Sequence, residues 1–371
     1  MKIVDFMDKK AILLIGDGVS ATDLRYASGF SAPDNFIFMQ SGSRKICAVS
    51  ALEYNRALST ALPGVEVLRS NANNVETVKG IAAEWNISTL VVPETFPVGL
   101  AEKLKGAGFA LEIAASALLP EREFKSALEV EKITRSLRAA EAGCRRAIEI
   151  LKASDIAPDR TLVWEGKPLT SEILRAEVDC TMLKLGMIAV DTICAGGLQG
   201  AQPHNTGSGV ILADYPVVLD IFPRSAETGY WGDLTRTVVR GTPSDFMRRA
   251  YDAVLEAREF AKECIKIGAI PSEIHKCAEN VLARHGFSTG CDEKGDYGFF
   301  HGLGHGVGLD IHEFPRLNLR NSTPLKAGIV VTDEPGLYYP DQGGIRLEDM
   351  IYLNNEGKAV TLTEMEDQFV I

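Results

Sequence analysis

Four apolar runs in the C-terminal two-thirds of this chain carry an acid where a strand would be buried. "PVVLDIF" (216–222) contains Asp220, and "DLTRTVV" (233–239) opens on Asp233. "GIVVTDE" (328–334) ends on Glu334, and "GIRLEDMIYL" (344–353) contains Glu348. An ion buried in an apolar strand without a partner costs on the order of several kcal/mol. Asp220 and Asp233 are thirteen positions apart, with turn-prone residues between, which suits a looped pair of neighbouring strands. Asp233 taken alone fits a solvated turn equally well. Glu334 and Glu348 lie fourteen apart in a similar arrangement.

A fifth segment has the same character. "FFHGLGHGVGLDIHE" (299–313) places His301, His305 and His312 together, half of the six histidines in the chain. An ordinary core has no use for three imidazoles so close, whereas a catalytic or metal site has. If the four carboxylates converge, each like-charged pair at ~4 Å repels by roughly 4 kcal/mol at an effective dielectric of ~20. Such a cluster persists only if its members take up protons or cations neutralise them. Two divalent ions would cancel four negative charges. An oxygen-rich site with one imidazole suits manganese, cobalt or zinc better than calcium.

The rest of the chain frames this constellation. Its 371 residues favour two domains over a single core. A hydrophobic content of 46% and a charged content of 24% are those of a soluble globular protein. The net charge of −11, with no basic cluster, argues against nucleic acid as a partner. The seven cysteines are scattered and form no CxxC, which fits core thiols in a reduced compartment. The apolar run between Lys10 and Gly16 is too short for a signal peptide or a membrane span. A cytoplasmic protein without membrane association is expected.

Strand-like runs at 11–16, 35–40, 45–50, 65–70 and 89–94 alternate with helical segments at 51–62, 74–85 and 98–108. This pattern predicts an α/β N-terminal domain over 1–122. It has no histidine and no GxGxxG, so it reads as a scaffold or lid. A long amphipathic helix over 127–153 opens the second domain, 123–371. Helices are expected at 170–186, 244–267 and 272–285. Strands are expected at 187–193, 209–213, 216–222, 234–239, 328–334, 348–354 and 359–363. His275 and His285, on and at the end of a helix, read as structural, and Tyr230 and Trp231 as packing residues.

"GDLTRT" (232–237), "HGLGHGVGLDIHE" (301–313), "DEPGLYY" (333–339) and "GGIRLED" (343–349) resemble the pita-bread metallopeptidases. That family includes aminopeptidase P, prolidase, methionine aminopeptidase and the metal-free creatinase. The resemblance covers about 125–371 and implies an α+β pita-bread (creatinase/aminopeptidase-like) catalytic domain. The first third resembles the creatinase/prolidase-type accessory domain through its order of elements, which favours the proline-peptide branch.

The resemblance also implies roles. Asp220 would hold one metal, Asp233 and Glu348 would bridge two, and His305 and Glu334 would complete the second. Glu334 would also serve as general base towards a bridging water. His204, in "QPHNTGSG" (202–209), and His312 would act on the tetrahedral intermediate or the leaving nitrogen. His301 would lie on the substrate side, and Arg346 would orient Asp233 or Glu348 or pair with a substrate carboxylate. The family usually writes the first aspartate as Asp-x-Gly, with the second eleven positions on. Here Phe222 replaces that glycine and the connection is two residues longer, which alters the adjacent pocket.

The expected function is hydrolysis of the Xaa-Pro bond in dipeptides or short peptides, as in prolidase. The alternative is an Xaa-Pro aminopeptidase acting on longer peptides, and the sequence does not separate the two. Creatinase illustrates a non-peptidase hydrolase or lyase on this scaffold, and some relatives are silent binding modules. Both lose ligands that this chain retains. Family members are commonly homodimers.

Overall fold

The computed structural model describes residues 9–71, 73–115 and 117–371. Residues 1–8, which open the expected N-terminal domain, lie outside the described residues. The chain divides into two compact units, one ending at Arg122 and one spanning Glu123–Ile371.

The first unit alternates β1 (Lys10–Gly16), α1 (Thr22–Ser28), β2 (Phe36–Ser41), β3 (Arg44–Val49), α2 (Tyr54–Thr60), β4 (Val65–Arg69), α3 (Asn74–Trp85), β5 (Thr89–Val92), α4 (Val98–Gly106) and β6 (Ala110–Ile113). The six strands form one sheet in the order β4-β3-β2-β1-β5-β6. Strand pairing is antiparallel for β1–β2 and β2–β3 and parallel for the other neighbours. Successive side chains on a strand point to opposite faces. Leu13, Ile37, Met39 and Ile46 therefore bury against Val78, Ile81, Trp85 and Leu104 on one face. Leu14, Phe38, Cys47 and Val49 bury with Leu24 and Ala57 on the other. The helix α3 starts where the Asn73 side chain accepts the Val75 N–H at 2.9 Å, an N-cap.

The second unit opens with α5 (Ala127–Ala153), capped by a reciprocal box between Ser126 and Glu129. Short strands β7 (Asp155–Ile156), β8 (Leu162–Trp164) and β9 (Lys167–Pro168) follow, then α6 (Ser171–Lys184), which packs along α5. Next come β10 (Met187–Ile188), β11 (Ile193–Gly196), β12 (Val217–Asp220), β13 (Arg224–Ser225) and β14 (Thr235–Val238). Helices α7 (Asp245–Cys264) and α8 (Pro271–Arg284) form a packed pair. The chain ends through β15 (Gly290–Asp292), β16 (Gly295–Tyr297), β17 (Gly304–Gly306), β18 (Glu313–Leu317), β19 (Ile329–Asp333), β20 (Gly336–Tyr339), β21 (Gly343–Arg346), β22 (Asp349–Leu353) and β23 (Ala359–Thr361).

Two sheets matter most for the site. One has the order β11-β12-β14 and the other β18-β17-β19-β22-β23. Apolar faces of α7 and α8, including Val254, Ala257, Ile274 and Val281, bury against Ile329, Val331, Ile351 and Leu353. The opposite face of β19 and β22 is thereby left to the chemistry.

Several segments differ from the sequence expectation. The strand expected at 187–193 is two short pieces, interrupted by Asp191 at φ 49°. The strand expected at 209–213 is absent, and only isolated bridges at Val210 and Leu212 remain. Gly209 (φ 71°) and Asp214 (φ 72°) turn the chain at both ends of that segment. α2 begins at Tyr54 rather than 51, and α1 and β6 were not anticipated.

Gly232, beside Asp233, is required by close packing. A Cβ there would lie 2.2 Å from the Leu137 backbone nitrogen on α5. We expect Gly232→Ala to cost about 1–3 kcal/mol, as overpacking does. An unchanged denaturation midpoint would contradict this packing.

Candidate metal centre

The site grows from a register. Asp220, last residue of β12, pairs with Thr235 of β14. Asp233 lies two positions before Thr235, so period-two alternation returns its side chain to the same side. Thr235 ties this sheet to the other. Its carbonyl accepts the Glu348 N–H at 3.0 Å, and its hydroxyl donates to Glu348 Oε2 at 2.8 Å.

The histidine segment arrives on β17. Gly304 and Gly306 flank His305 because the backbone passes too close for side chains. A Cβ on Gly304 would lie 2.0 Å from Thr332 O, and one on Gly306 would lie 2.1 Å from Phe314 O. The His305 N–H donates to Thr332 Oγ1 at 3.0 Å, and Thr332 Oγ1 donates to Glu334 Oε1 at 3.2 Å. His305 Nδ1 donates to Gly306 O at 3.1 Å, leaving Nε2 directed at the acids. It stands 3.2 Å from Glu334 Oε1 and 3.7 Å from Asp233 Oδ2. Asp233, His305 and Glu348 each bring one ligand atom to within 4.8 Å of the other two.

Asp220 and Glu334 line the same cavity of about 930 Å³, as do His204, His301, His312 and Arg346. The structure thus gathers all nine sequence-predicted residues around one space. One expected contact is corrected. Arg346 pairs with Asp220 rather than Asp233 or Glu348. Its remaining N–H groups go to Thr235 Oγ1, Tyr338 Oη and Pro203 O, so the guanidinium has no donor to spare for a substrate carboxylate.

His301 is held as a neutral tautomer. Its Nδ1 donates to Gly302 O at 2.7 Å, so Nε2 accepts from Tyr338 Oη at 2.9 Å. His312 stands edge-on to His305 with ring centroids 4.4 Å apart. His204 is exposed at the cavity wall. Trp231 and Tyr230 do not line the cavity. The Trp231 indole N–H donates to Leu309 O, and the Tyr230 hydroxyl donates to Glu129. His275 is buried, accepts the Leu303 N–H at 3.1 Å and stacks on Phe299, bracing the loop that enters β17.

Sequence reasoning missed Thr235, Tyr338, Thr332 and Arg316. The first three lie inside or beside quoted motifs, where a hydroxyl among apolar strand residues was the available signal. Arg316 follows His312 by four positions on β18 and lines the cavity. Its guanidinium donates to His312 O at 3.4 Å. No pattern in the sequence distinguished it.

The charges behave as a crowded acid cluster should. Burial raises Asp233 well above the usual carboxylate range, and Asp220 adds to the effect. Burial likewise raises Glu348, with Asp233 next in importance. Asp220 is raised by burial despite the opposing Arg346. Burial is the largest influence on Glu334 and would raise it, but the hydrogen bond and charge of His305, with the charges of His301 and Arg346, together outweigh it and hold the carboxylate at about 2. Burial would depress His305, yet Glu334 and Asp233 overcome it and raise the imidazole. Burial brings His312 down to about 4.

This donor set fits divalent cations. It offers carboxylate oxygens and one imidazole nitrogen, and Glu348 Oε1 is buried with no hydrogen-bond partner. A cation would relieve the repulsion that otherwise makes these groups hold protons.

A mixed-sheet unit joined to a pita-bread unit built around such a cluster defines a metal-dependent peptidase. The family model for metallopeptidase family M24 matches residues 131–355, and the chain belongs to that family. It is therefore a metallopeptidase, an enzyme that uses divalent metal ions. The Xaa-Pro dipeptidase of Pyrococcus horikoshii is 32% identical, covering 98% of this chain and 97% of that one. A solved prolidase from Pyrococcus furiosus superposes with TM-score 0.81 at 27% identity, covering 96% of each chain. A solved X-Pro aminopeptidase from Thermotoga maritima superposes with TM-score 0.83 at 26% identity, covering 98% and 97%. No helix among the described residues is long and apolar enough to cross a membrane.

A pH experiment follows from the raised acids. Their folded pKa values exceed the unfolded ones, so the metal-free protein loses stability as pH rises through them. Cation binding should release protons wherever these acids are still protonated, and its stabilising effect should grow with pH. Titration in weakly buffered solution measures this, and uptake or no change in protons would contradict it.

Proposed function

We propose that this chain is a dinuclear Xaa-Pro dipeptidase of the prolidase kind. The observation that carries the reading is the convergence of Asp233, His305 and Glu348 within ligand reach of one another. Asp220 and Glu334 complete the set on the same cavity. We assign these five side chains to two divalent ions, with manganese foremost and cobalt or zinc as substitutes. When bound, the ions would lower the pKa of a water and polarise the scissile carbonyl.

The protein groups do the rest. Glu334 Oε2, the oxygen not engaged by Thr332 or His305, takes the proton of the attacking water. The departing proline nitrogen needs a proton when the C–N bond breaks, and Glu334 returns it. His312, neutral above pH of about 4, donates an N–H to the oxyanion of the intermediate. His204 reaches the same species from the exposed wall. His301, held through Tyr338 by Arg346, shapes the substrate side. Arg346 holds Asp220 and does not meet substrate.

A dipeptide presents a free carboxylate, and a cation in the cavity favours it. Arg316 supplies one, with a single long hydrogen bond to His312 O. This supports the dipeptidase over the aminopeptidase. Residues 1–122 serve as a creatinase/prolidase-type accessory domain, and the chain works as a cytoplasmic homodimer. The cysteines of the described residues are all free thiols, in keeping with a reducing compartment.

The deciding assay is proline release from Xaa-Pro dipeptides and from longer Xaa-Pro peptides, with manganese, cobalt or zinc added. Release from dipeptides supports the proposal, and release only from longer peptides supports the aminopeptidase. No release from either overturns both. His305→Ala and Glu348→Ala should lose bound metal and at least about 100-fold in activity, while His285→Ala should keep both. Arg316→Ala should raise KM for dipeptides about tenfold or more, the scale of a charged hydrogen bond, and leave longer peptides unaffected. Equal effects on both substrates would remove Arg316 from carboxylate recognition.

A further inference from the structure

The reverse side of the strands that carry Glu348 and Thr235 holds a ring of ion pairs, built on two buried arginines, that the chemistry above does not use. Period-two alternation sends Asp349 away from the cavity, since Glu348 faces into it. Arg236, next to Thr235, donates to Asp349 Oδ1 at 2.9 Å and to the Glu348 carbonyl at 2.6 Å. Arg258, fully buried on α7, lies 3.4 Å from Asp349 Oδ2. Asp367, four residues from the C-terminal Ile371, closes the ring. It accepts from Arg258 Nη1 at 3.0 Å and stands 3.2 Å from Arg236 Nε. Arg236 also holds the tail by the carbonyls of Met365, at 2.7 Å, and Glu366, at 3.4 Å.

Two guanidiniums thus share two carboxylates, one from the strand that follows Glu348 and one from the tail. Arg258 also reaches Glu259 at 3.0 Å, so removing the Asp367 carboxylate leaves Arg258 with Glu259 and Asp349 and leaves Arg236, also buried, with Asp349 as its one close carboxylate, a costly arrangement. The relaxation falls on Arg236, whose other donors fix the Glu348 backbone. We propose that Asp367 is a positioning residue for the metal centre, acting through Arg236 on the placement of Glu348. The inference rests on the assignment of Glu348 as a metal ligand.

The tail has independent anchors. Phe369 stacks on Tyr251 with centroids 4.3 Å apart, and the Val239 N–H donates to Phe369 O at 2.7 Å. A charge change at Asp367 can therefore be separated from loss of the tail. The test is manganese affinity of the full-length protein, by competition with a chelating indicator, beside thermal denaturation. Asp367→Asn should weaken manganese binding about tenfold or more. Asp367→Glu should recover most of that loss. Phe369→Ala should lower the melting temperature and change manganese affinity less than about twofold. Wild-type affinity in Asp367→Asn overturns the inference, as does an equal loss of affinity in Phe369→Ala, which would make the tail a matter of stability alone. Failure of the unaltered protein to bind manganese would overturn the metal assignment along with it.

Discussion

Mutual repulsion among buried carboxylates is the constraint on which this structure turns. Asp220, Asp233, Glu334 and Glu348 line one cavity on a pita-bread unit, where the first two and Glu348 are buried and Glu334 is half-buried. Each element that carries one is pinned by a bond to a neighbouring segment. Thr235 grips Glu348 by backbone and hydroxyl, Thr332 bridges His305 to Glu334, and the Leu303 carbonyl accepts the Glu334 N–H. Such pinning holds acids together against their charge. The protein keeps them poised, and a cation supplies the missing compensation.

The same strands serve two purposes. Their cavity side presents the acids and the imidazole, while the other side packs against α7 and α8 or holds paired arginines. A rigid scaffold for a metal site needs both, since ligands misplaced by about 0.5–1 Å lose geometry and affinity. The glycines beside His305 belong to this economy of space. They let β17 approach Thr332 and the β18 segment closely enough for the imidazole to meet acids from two sheets.

Much of this was legible in the sequence. An acid in an apolar strand is an energetic anomaly, and Asp220 and Glu348 stood out for that reason. The long helix at 127–153 announced itself by its stripe and matches α5. Contacts set only by tertiary packing were not legible. The partner of Arg346 depended on where Asp220 came to lie, and the position of Arg316 depended on the path of β18. The stretch at 209–213 looked like a strand because its apolar residues are real, but left-handed residues at Gly209 and Asp214 prevent it from pairing as one. Phe222, in place of a family glycine, lines the cavity, so the departure noticed in sequence falls where substrate would sit.

The central claim is that these side chains are gathered for cations. A crystal of the protein grown with manganese, with diffraction recorded on both sides of the manganese absorption edge, tests it directly. Two anomalous peaks bounded by Asp220, Asp233, His305, Glu334 and Glu348 are the predicted result. A cavity with no anomalous signal, its acids instead hydrogen-bonded to one another as neutral carboxyls, would contradict it.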